Sequence, residues 1–287
     1  MQTPAKPQKT PAVRLAPLPV NPYLHPFSFF AMILAIANQK GGVGKTTTVV
    51  NLAAAIAARK KNVLVIDLDP QANATSGLGV EPTEGVSLLG ALLNQANIDD
   101  YIVGTCVERV NLIPAEVNLS GVEIEIARQE DHLHALNRVL KPIEDSHVFD
   151  YILLDCPPSL GILMTNALAT ANAVLIPMQC EYYAMEGLSI ILQLIDRMKN
   201  FGQNPTLRAE GIIMTMYART RLADEVVTQV RQHYSDLVYK TIVPRSVRAG
   251  EAPSFGIPLV AYAPNTPVAK AYFDLADEFL ARQRRKR

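Results

Sequence analysis

Met32-Ile33-Leu34-Ala35-Ile36-Ala37-Asn38-Gln39-Lys40-Gly41-Gly42-Val43-Gly44-Lys45-Thr46-Thr47-Thr48 is the stretch whose reading decides the fold. An apolar run, a glycine-rich turn and a Lys-Thr pair opening a helical stretch form a strand–loop–helix unit. Glycines at 41, 42 and 44 let successive backbone N–H groups converge on phosphate oxygens. The helix beginning near Thr46 adds the partial positive charge of its N-terminus. Lys45 is expected to reach the β- and γ-phosphates of ATP. Thr46 offers a hydroxyl to Mg²⁺, a cation that takes few protein ligands beside phosphate and water. Gly41, Gly42, Val43, Gly44, Lys45, Thr46 and Thr47 are therefore the expected nucleotide contacts, with ATP or ADP and Mg²⁺ as cofactors. From Gly41 to Gly44 only two residues intervene where the usual Gly-x-x-x-x-Gly-Lys-Thr has four, and such a loop does not need Lys40.

Outward from this unit, apolar runs at Val63–Ile66, Val110–Ile113, Tyr151–Leu154, Ala173–Pro177, Leu207–Met216 and Leu237–Val243 read as strands. Helical stretches are expected at about 46–59, 123–140, 161–170, 184–200, 223–234 and 267–284. Short continuous Val/Ile/Leu runs suit strands buried on both faces of a parallel sheet. Their alternation with helices predicts a doubly wound, mostly parallel α/β fold of the P-loop NTPase kind, in one domain spanning 32–287. Residues 1–31 differ: proline recurs at 4, 7, 11, 17, 19, 22 and 26, so a disordered extension is expected, with Met32 an alternative start.

Two strands end in carboxylates. Val63–Ile66 runs into Asp67-Leu68-Asp69-Pro70, and Tyr151–Leu154 into Asp155-Cys156-Pro157-Pro158. Carboxylates at the carboxyl ends of parallel strands face the ligand crevice. Asp155 fits the Walker B role of ordering the magnesium water shell, and Asp69 is placed to orient an attacking water. Asp67 is open between that crevice and a turn or cap role. Phosphoryl transfer is mostly positioning plus charge stabilisation, so few groups are needed.

Composition narrows the partners. The chain has 287 residues, 49% of them hydrophobic, with 27 Lys and Arg against 27 Asp and Glu. A net charge of zero excludes a global pull toward nucleic acid, so any such binding needs a local patch. Three scattered cysteines give neither a zinc spacing nor a disulfide framework and suit a reduced cytoplasm. No apolar run is long enough to span a bilayer.

The loop together with Asp67-Leu68-Asp69-Pro70-Gln71-Ala72-Asn73, Asp150-Tyr151-Ile152-Leu153-Leu154-Asp155-Cys156-Pro157-Pro158-Ser159, Glu181-Tyr182-Tyr183-Ala184-Met185-Glu186-Gly187-Leu188 and Glu251-Ala252-Pro253-Ser254 resembles the ParA/Soj chromosome- or plasmid-partitioning ATPases. These belong to the deviant-Walker-A group that also holds MinD. The resemblance covers about 32–280. It implies that Lys40 is the signature lysine, reaching across a nucleotide-sandwich homodimer to the partner's ATP in an arginine-finger-like role. Gly41 resembles the small residue that lets two loops approach. Lys45, Asp69 and Asp155 take the catalytic roles beside Lys40, with Thr46 and Asp155 at the metal. Met216 and Pro244 are the expected adenine-pocket residues. The resemblance further implies slow hydrolysis stimulated by a ParB-like protein, and a cytoplasmic, nucleoid-associated location.

Residues 217–287 hold twelve Lys and Arg against seven acids. A basic surface there suits non-specific contact with DNA phosphates, and Arg219 and Arg248 resemble the family's DNA-contacting arginines. The segment Met216-Tyr217-Ala218-Arg219-Thr220 is one residue shorter than the family's usual form. The alternative is a MinD-like membrane-associated positioning ATPase, which requires an amphipathic C-terminal helix. The chain's end offers only Phe279 and Leu280 as bulky apolar residues, so no membrane partner is expected. A nitrogenase-iron-protein-like reductase wants a cysteine where Pro158 stands.

Overall fold

The computed structural model describes residues 31–93, 97–116, 118–182 and 184–286. The expectation about residues 1–31 falls almost wholly outside them. Eight strands form one sheet in the order β3-β4-β2-β5-β1-β6-β7-β8. They are β1 (Met32–Ile36), β2 (Val63–Asp67), β3 (Val103–Gly104), β4 (Val110–Ile113), β5 (Tyr151–Asp155), β6 (Ala173–Gln179), β7 (Arg208–Tyr217) and β8 (Val238–Pro244). All neighbours pair in parallel except the short β3, which runs antiparallel to β4.

The continuous apolar runs have a plain cause. Successive side chains of a strand point to opposite faces, and both faces are covered. Ile33, Ala35, Leu64, Ile66, Ile152 and Leu154 enter one core, while Leu34, Ile36, Val63, Val65, Tyr151 and Leu153 enter the other. Helices Ala135–Ser146, Ile162–Thr170, Ala184–Asn200 and Arg221–His233 bury residues in the first core. The phosphate-loop helix α1 (Lys45–Ala57) and the C-terminal helix Pro267–Lys286 cover the second.

Two expectations change. The helix expected at 123–140 is two helices, Leu119–Ala127 and Ala135–Ser146, with a single 3₁₀ turn between. A long-range contact sets the break: the buried Asn166 amide donates to the His132 carbonyl at 2.8 Å and accepts from the Leu136 N–H at 3.0 Å. The C-terminal helix, expected to end near 284, runs on to Lys286.

That last helix is tied to an irregular sheet edge. The β7–β8 register shifts twice, and the N–H groups of Lys240 and Thr241 donate to the Glu278 carboxylate at 2.9 and 3.0 Å. Thr241 Oγ1 adds a bond of 2.9 Å, and Arg282 pairs with the same carboxylate at 3.0 Å. Burial alone would raise the Glu278 pKa, but these N–H donors, the Thr241 hydroxyl and Arg282 bring it below the ordinary carboxylate value. Its stabilising contribution is therefore present above the unfolded carboxylate range and is lost as pH falls through the folded value. Glu278→Ala leaves two edge N–H groups unpaired and should cost about 1–3 kcal/mol. Chemical denaturation at pH 7 checks this, and the deficit should shrink toward pH 4.

Candidate functional site

The carboxyl ends of β1, β2 and β5 meet in register: Ile36 lies beside Asp155, and Asp155 beside Asp67. Strand β1 sits between β5 and β6, where the chain's connections diverge to the two sides of the sheet. Open α/β sheets form their ligand crevice outside the strand ends at such a point. The loop 38–44 crosses this crevice and delivers the chain into α1. Gly42 and Gly44 have φ of +73° and +86°, the left-handed region that side chains disfavour. Gly44 caps α1 without a side-chain hydrogen bond, so the N–H groups of the first turn are left for an anion.

Three side chains fix the loop: Asn38 at its start, and Gln179 and Thr215 from distant strands, which the sequence motif does not name. Asn38 is buried; its amide donates to the Pro177 carbonyl at 2.8 Å, and its oxygen accepts the Lys40 N–H at 3.0 Å. Gln179 Nε2 donates to the Gly42 carbonyl at 3.0 Å and to Met216 Sδ at 2.9 Å. Thr215 Oγ1 donates to the Val43 carbonyl at 2.8 Å. Gln179 and Thr215 each sit near the end of an apolar strand that leads into the crevice. A polar residue in that position was the only available signal.

Lys45 is buried, and its Nζ donates to the Lys40 carbonyl at 3.2 Å. Burial lowers its pKa, opposed by the negative potentials of Asp155, Cys156 and Asp69. Asp155 is fully buried, and neither carboxylate oxygen has a hydrogen-bond partner among the described residues. Burial first, and then the charge of Asp67, push its pKa well up; the nearby Thr46 hydroxyl and Lys45 oppose this without closing a bond to it. Asp67 is raised by burial to about 6. It is nevertheless fully engaged: it accepts from the N–H groups of Asp69 and Thr75 and from the Thr75 hydroxyl at 2.8–3.1 Å. Asp67 thus builds the turn after β2, which settles its open assignment. Asp69 is half-buried, and among the described residues its carboxylate accepts a local N–H, from Gln71 at 3.0 Å.

Lys40 points away from this interior. Its Nζ meets Glu181 Oε2 at 2.6 Å, with the lysine side chain 36% exposed. A side chain at Gly41 would find nothing within 4 Å. Met216 and Pro244 line one cavity of about 220 Å³ with Gly44, Thr47 and Tyr272. Met216 has a φ of +51°, a strained backbone for a side chain of this size. Arg219 is exposed after β7, and Arg248 lies in the short helix after β8, paired with Glu251 at 2.7 Å. The structure thus gathers Lys45, Thr46, Asp69 and Asp155 in one crevice, Met216 and Pro244 beside it, and Lys40 on its rim.

Comparison with known proteins agrees with this geometry. The AAA domain family matches residues 31–209. The sporulation initiation inhibitor protein Soj of Bacillus subtilis is 47% identical over 87% of this chain and 98% of its own length. The chromosome partitioning protein ParA of Caulobacter vibrioides is 43% identical over 88% of this chain and 95% of its own. A solved structure of cobyrinic acid a,c-diamide synthase from Mycobacterium smegmatis, with bound ADP and magnesium, matches with a TM-score of 0.77 at 34% identity, covering 90% of this chain and 97% of that one. With a crevice of the expected make-up and this identity over nearly its whole described length, the chain belongs to the ParA/Soj family of chromosome-partitioning ATPases.

Proposed function

We propose that the protein is an ATP-dependent dimerising switch. In this reading it binds DNA non-specifically as the ATP dimer and hydrolyses ATP when stimulated by a ParB-like partner, so as to segregate a chromosome or plasmid. The observation that carries the reading is the division of labour in the loop. Lys45 turns inward to the crevice, whereas the Lys40 side chain turns to the rim, where it pairs with the exposed Glu181, and Gly41 has open space around it. A surface lysine beside a glycine with free space around it suits a second copy of the loop approaching across the nucleotides.

The residues fit the proposed cofactors. Two left-handed glycines and an uncapped helix start suit phosphate oxygens. The orphaned Asp155 carboxylate and the Thr46 hydroxyl suit an octahedral cation that keeps most of its waters. The Mycobacterium smegmatis relative carries magnesium with ADP. Bound there, Mg²⁺ would neutralise phosphate charge. Lys45 would hold the β- and γ-phosphates, Asp69 would orient the attacking water, and Lys40 from the facing chain would stabilise the charge that develops on the transferred group. Gln179, through the Gly42 carbonyl and Met216, would keep the phosphate loop in register with the cavity at Met216 and Pro244, which suits an adenine.

DNA is favoured over the MinD-like membrane alternative. Among the described residues no helix is long and apolar enough to cross a membrane. The two bulky apolar residues near the C-terminus are committed to the core: Phe279 is fully buried, its ring 5.4 Å from that of Tyr151, and Leu280 is buried too. Neither is free to enter lipid.

Two measurements test the reading. Wild-type protein with ATP and Mg²⁺ should be retained on random-sequence duplex DNA, and ADP, removal of Mg²⁺ or Lys45→Ala should abolish retention. Retention that ignores nucleotide, or transfer to anionic vesicles instead of DNA, would contradict it. The second concerns the buried carboxylates. The folded chain holds these protons more tightly than the unfolded chain does. The pair's stabilising contribution is therefore present at low pH and is lost as pH rises through the folded values, about 6 for Asp67. Asp155→Asn should raise nucleotide-free stability at pH 7.5 by about 0.5–2 kcal/mol, as removal of functional strain does elsewhere. The gain should fade below pH 5, and Mg²⁺-dependent nucleotide binding should be lost. A less stable variant with normal binding would refute the assignment.

A further inference from the structure

Strand β2 does not by itself place Asp69. The residue lies just past the strand's end, in a turn that leads through Ala72, with a φ of +52°, into the short helix Asn73–Gly77. That helix has five residues and no side-chain cap at its start, so it is too short to hold its shape alone. Packing supports it incompletely. A cavity of about 230 Å³ opens between it and α1, with Thr46, Asn73 and Gly77 in its lining.

Hydrogen bonds through Thr75 supply what packing leaves out. Thr75 is fully buried in the middle of the short helix. Its backbone N–H and its hydroxyl both donate to one oxygen of the Asp67 carboxylate, at 2.9 and 2.8 Å. The hydroxyl in turn accepts the N–H of Ala115, just beyond β4, at 3.1 Å. The other Asp67 oxygen accepts the N–H of Asp69 at 3.1 Å. The bonds therefore run from Ala115 through Thr75 and Asp67 to Asp69, across the ends of the neighbouring strands β4 and β2. A hydroxyl both donates and accepts, so it can bridge an N–H on one side and a carboxylate on the other. Thr75, Asp67 and Ala115 are all fully buried, so bulk water does not replace a partner that is removed.

We propose that Thr75 is a positioning residue for ATP hydrolysis. Its hydroxyl holds the Asp67 carboxylate, and Asp67 holds the Asp69 backbone, so that the Asp69 carboxylate keeps its bearing on the attacking water. The proposal rests on the reading above that Asp69 orients this water. In that step the water oxygen bonds to the γ-phosphorus. The bond from phosphorus to the bridging oxygen breaks, and its electron pair leaves with ADP. One water proton stays on the released phosphate and the other passes to solvent. Thr75 touches none of these atoms. It acts through position alone, where a misplacement of about 1 Å costs up to roughly a hundredfold in rate.

The test compares full-chain variants in ATP and Mg²⁺, reading kcat and KM for hydrolysis and the affinity for a fluorescent ATP analogue. Thr75→Val keeps the shape and the backbone N–H to Asp67 but removes the hydroxyl. It should lower kcat by about tenfold or more, with KM and analogue affinity within about twofold of wild type. Thr75→Ser keeps the hydroxyl and drops the methyl, and it should hold kcat within about threefold of wild type. A wild-type kcat in Thr75→Val would overturn the proposal. So would loss of analogue binding along with kcat, because the hydroxyl would then support the whole crevice and not Asp69. A Thr75→Ser variant as slow as Thr75→Val would also overturn it, since methyl packing would then carry the effect. Asp69→Ala with a wild-type kcat would instead contradict the underlying reading of Asp69, and the proposal would fall with it.

Discussion

Burying an ammonium and a carboxylate in one crevice costs several kcal/mol per ion unless each finds partners. Lys45 and Asp155 are in that position. The lysine has one backbone carbonyl near it, and the carboxylate has no hydrogen-bond partner among the described residues. Burial accordingly shifts both toward their neutral forms. Perturbed groups of this kind gather at functional sites, where the chain keeps an arrangement that stability alone would not select. A nucleotide's phosphates and their cation bring the charges that would satisfy both groups. The rest of the architecture serves this constraint: the central strands end together, α1 starts without a cap, and Asn38, Gln179 and Thr215 hold the loop open.

The same economy explains what the sequence revealed. The unit 32–48, the strand ends at Asp69 and Asp155, and all six remaining apolar runs lie within two residues of where they were expected at each end, because local pattern and burial on both faces agree there. The chain between 123 and 140 misled because its helical break is imposed by Asn166, far along the sequence. The clamps at Gln179 and Thr215 were illegible for the same reason: their partners lie 137 and 172 residues away. Charge was legible as a count and not as a distribution. Twelve cations after residue 217 suggested a single surface, yet strand direction sends them to opposite ends of the sheet.

That division of charge has a mechanical consequence in the proposed reading. The nucleotide end carries Lys40, held by Glu181 at 2.6 Å, and a Gly41 with open space around it. A surface ion pair of this kind contributes about 0–1 kcal/mol, little enough for a facing nucleotide to displace. The nucleotide end of the molecule is then free to meet its copy.

The central claim is that the loop 40–46 is half of an interface that nucleotide completes. Sedimentation velocity of the wild-type chain, in a non-hydrolysable ATP analogue with Mg²⁺ and in ADP with Mg²⁺, tests it most directly. The account predicts twice the chain mass with the ATP analogue and a single chain mass with ADP. A single mass in both, or a dimer indifferent to nucleotide, would contradict it.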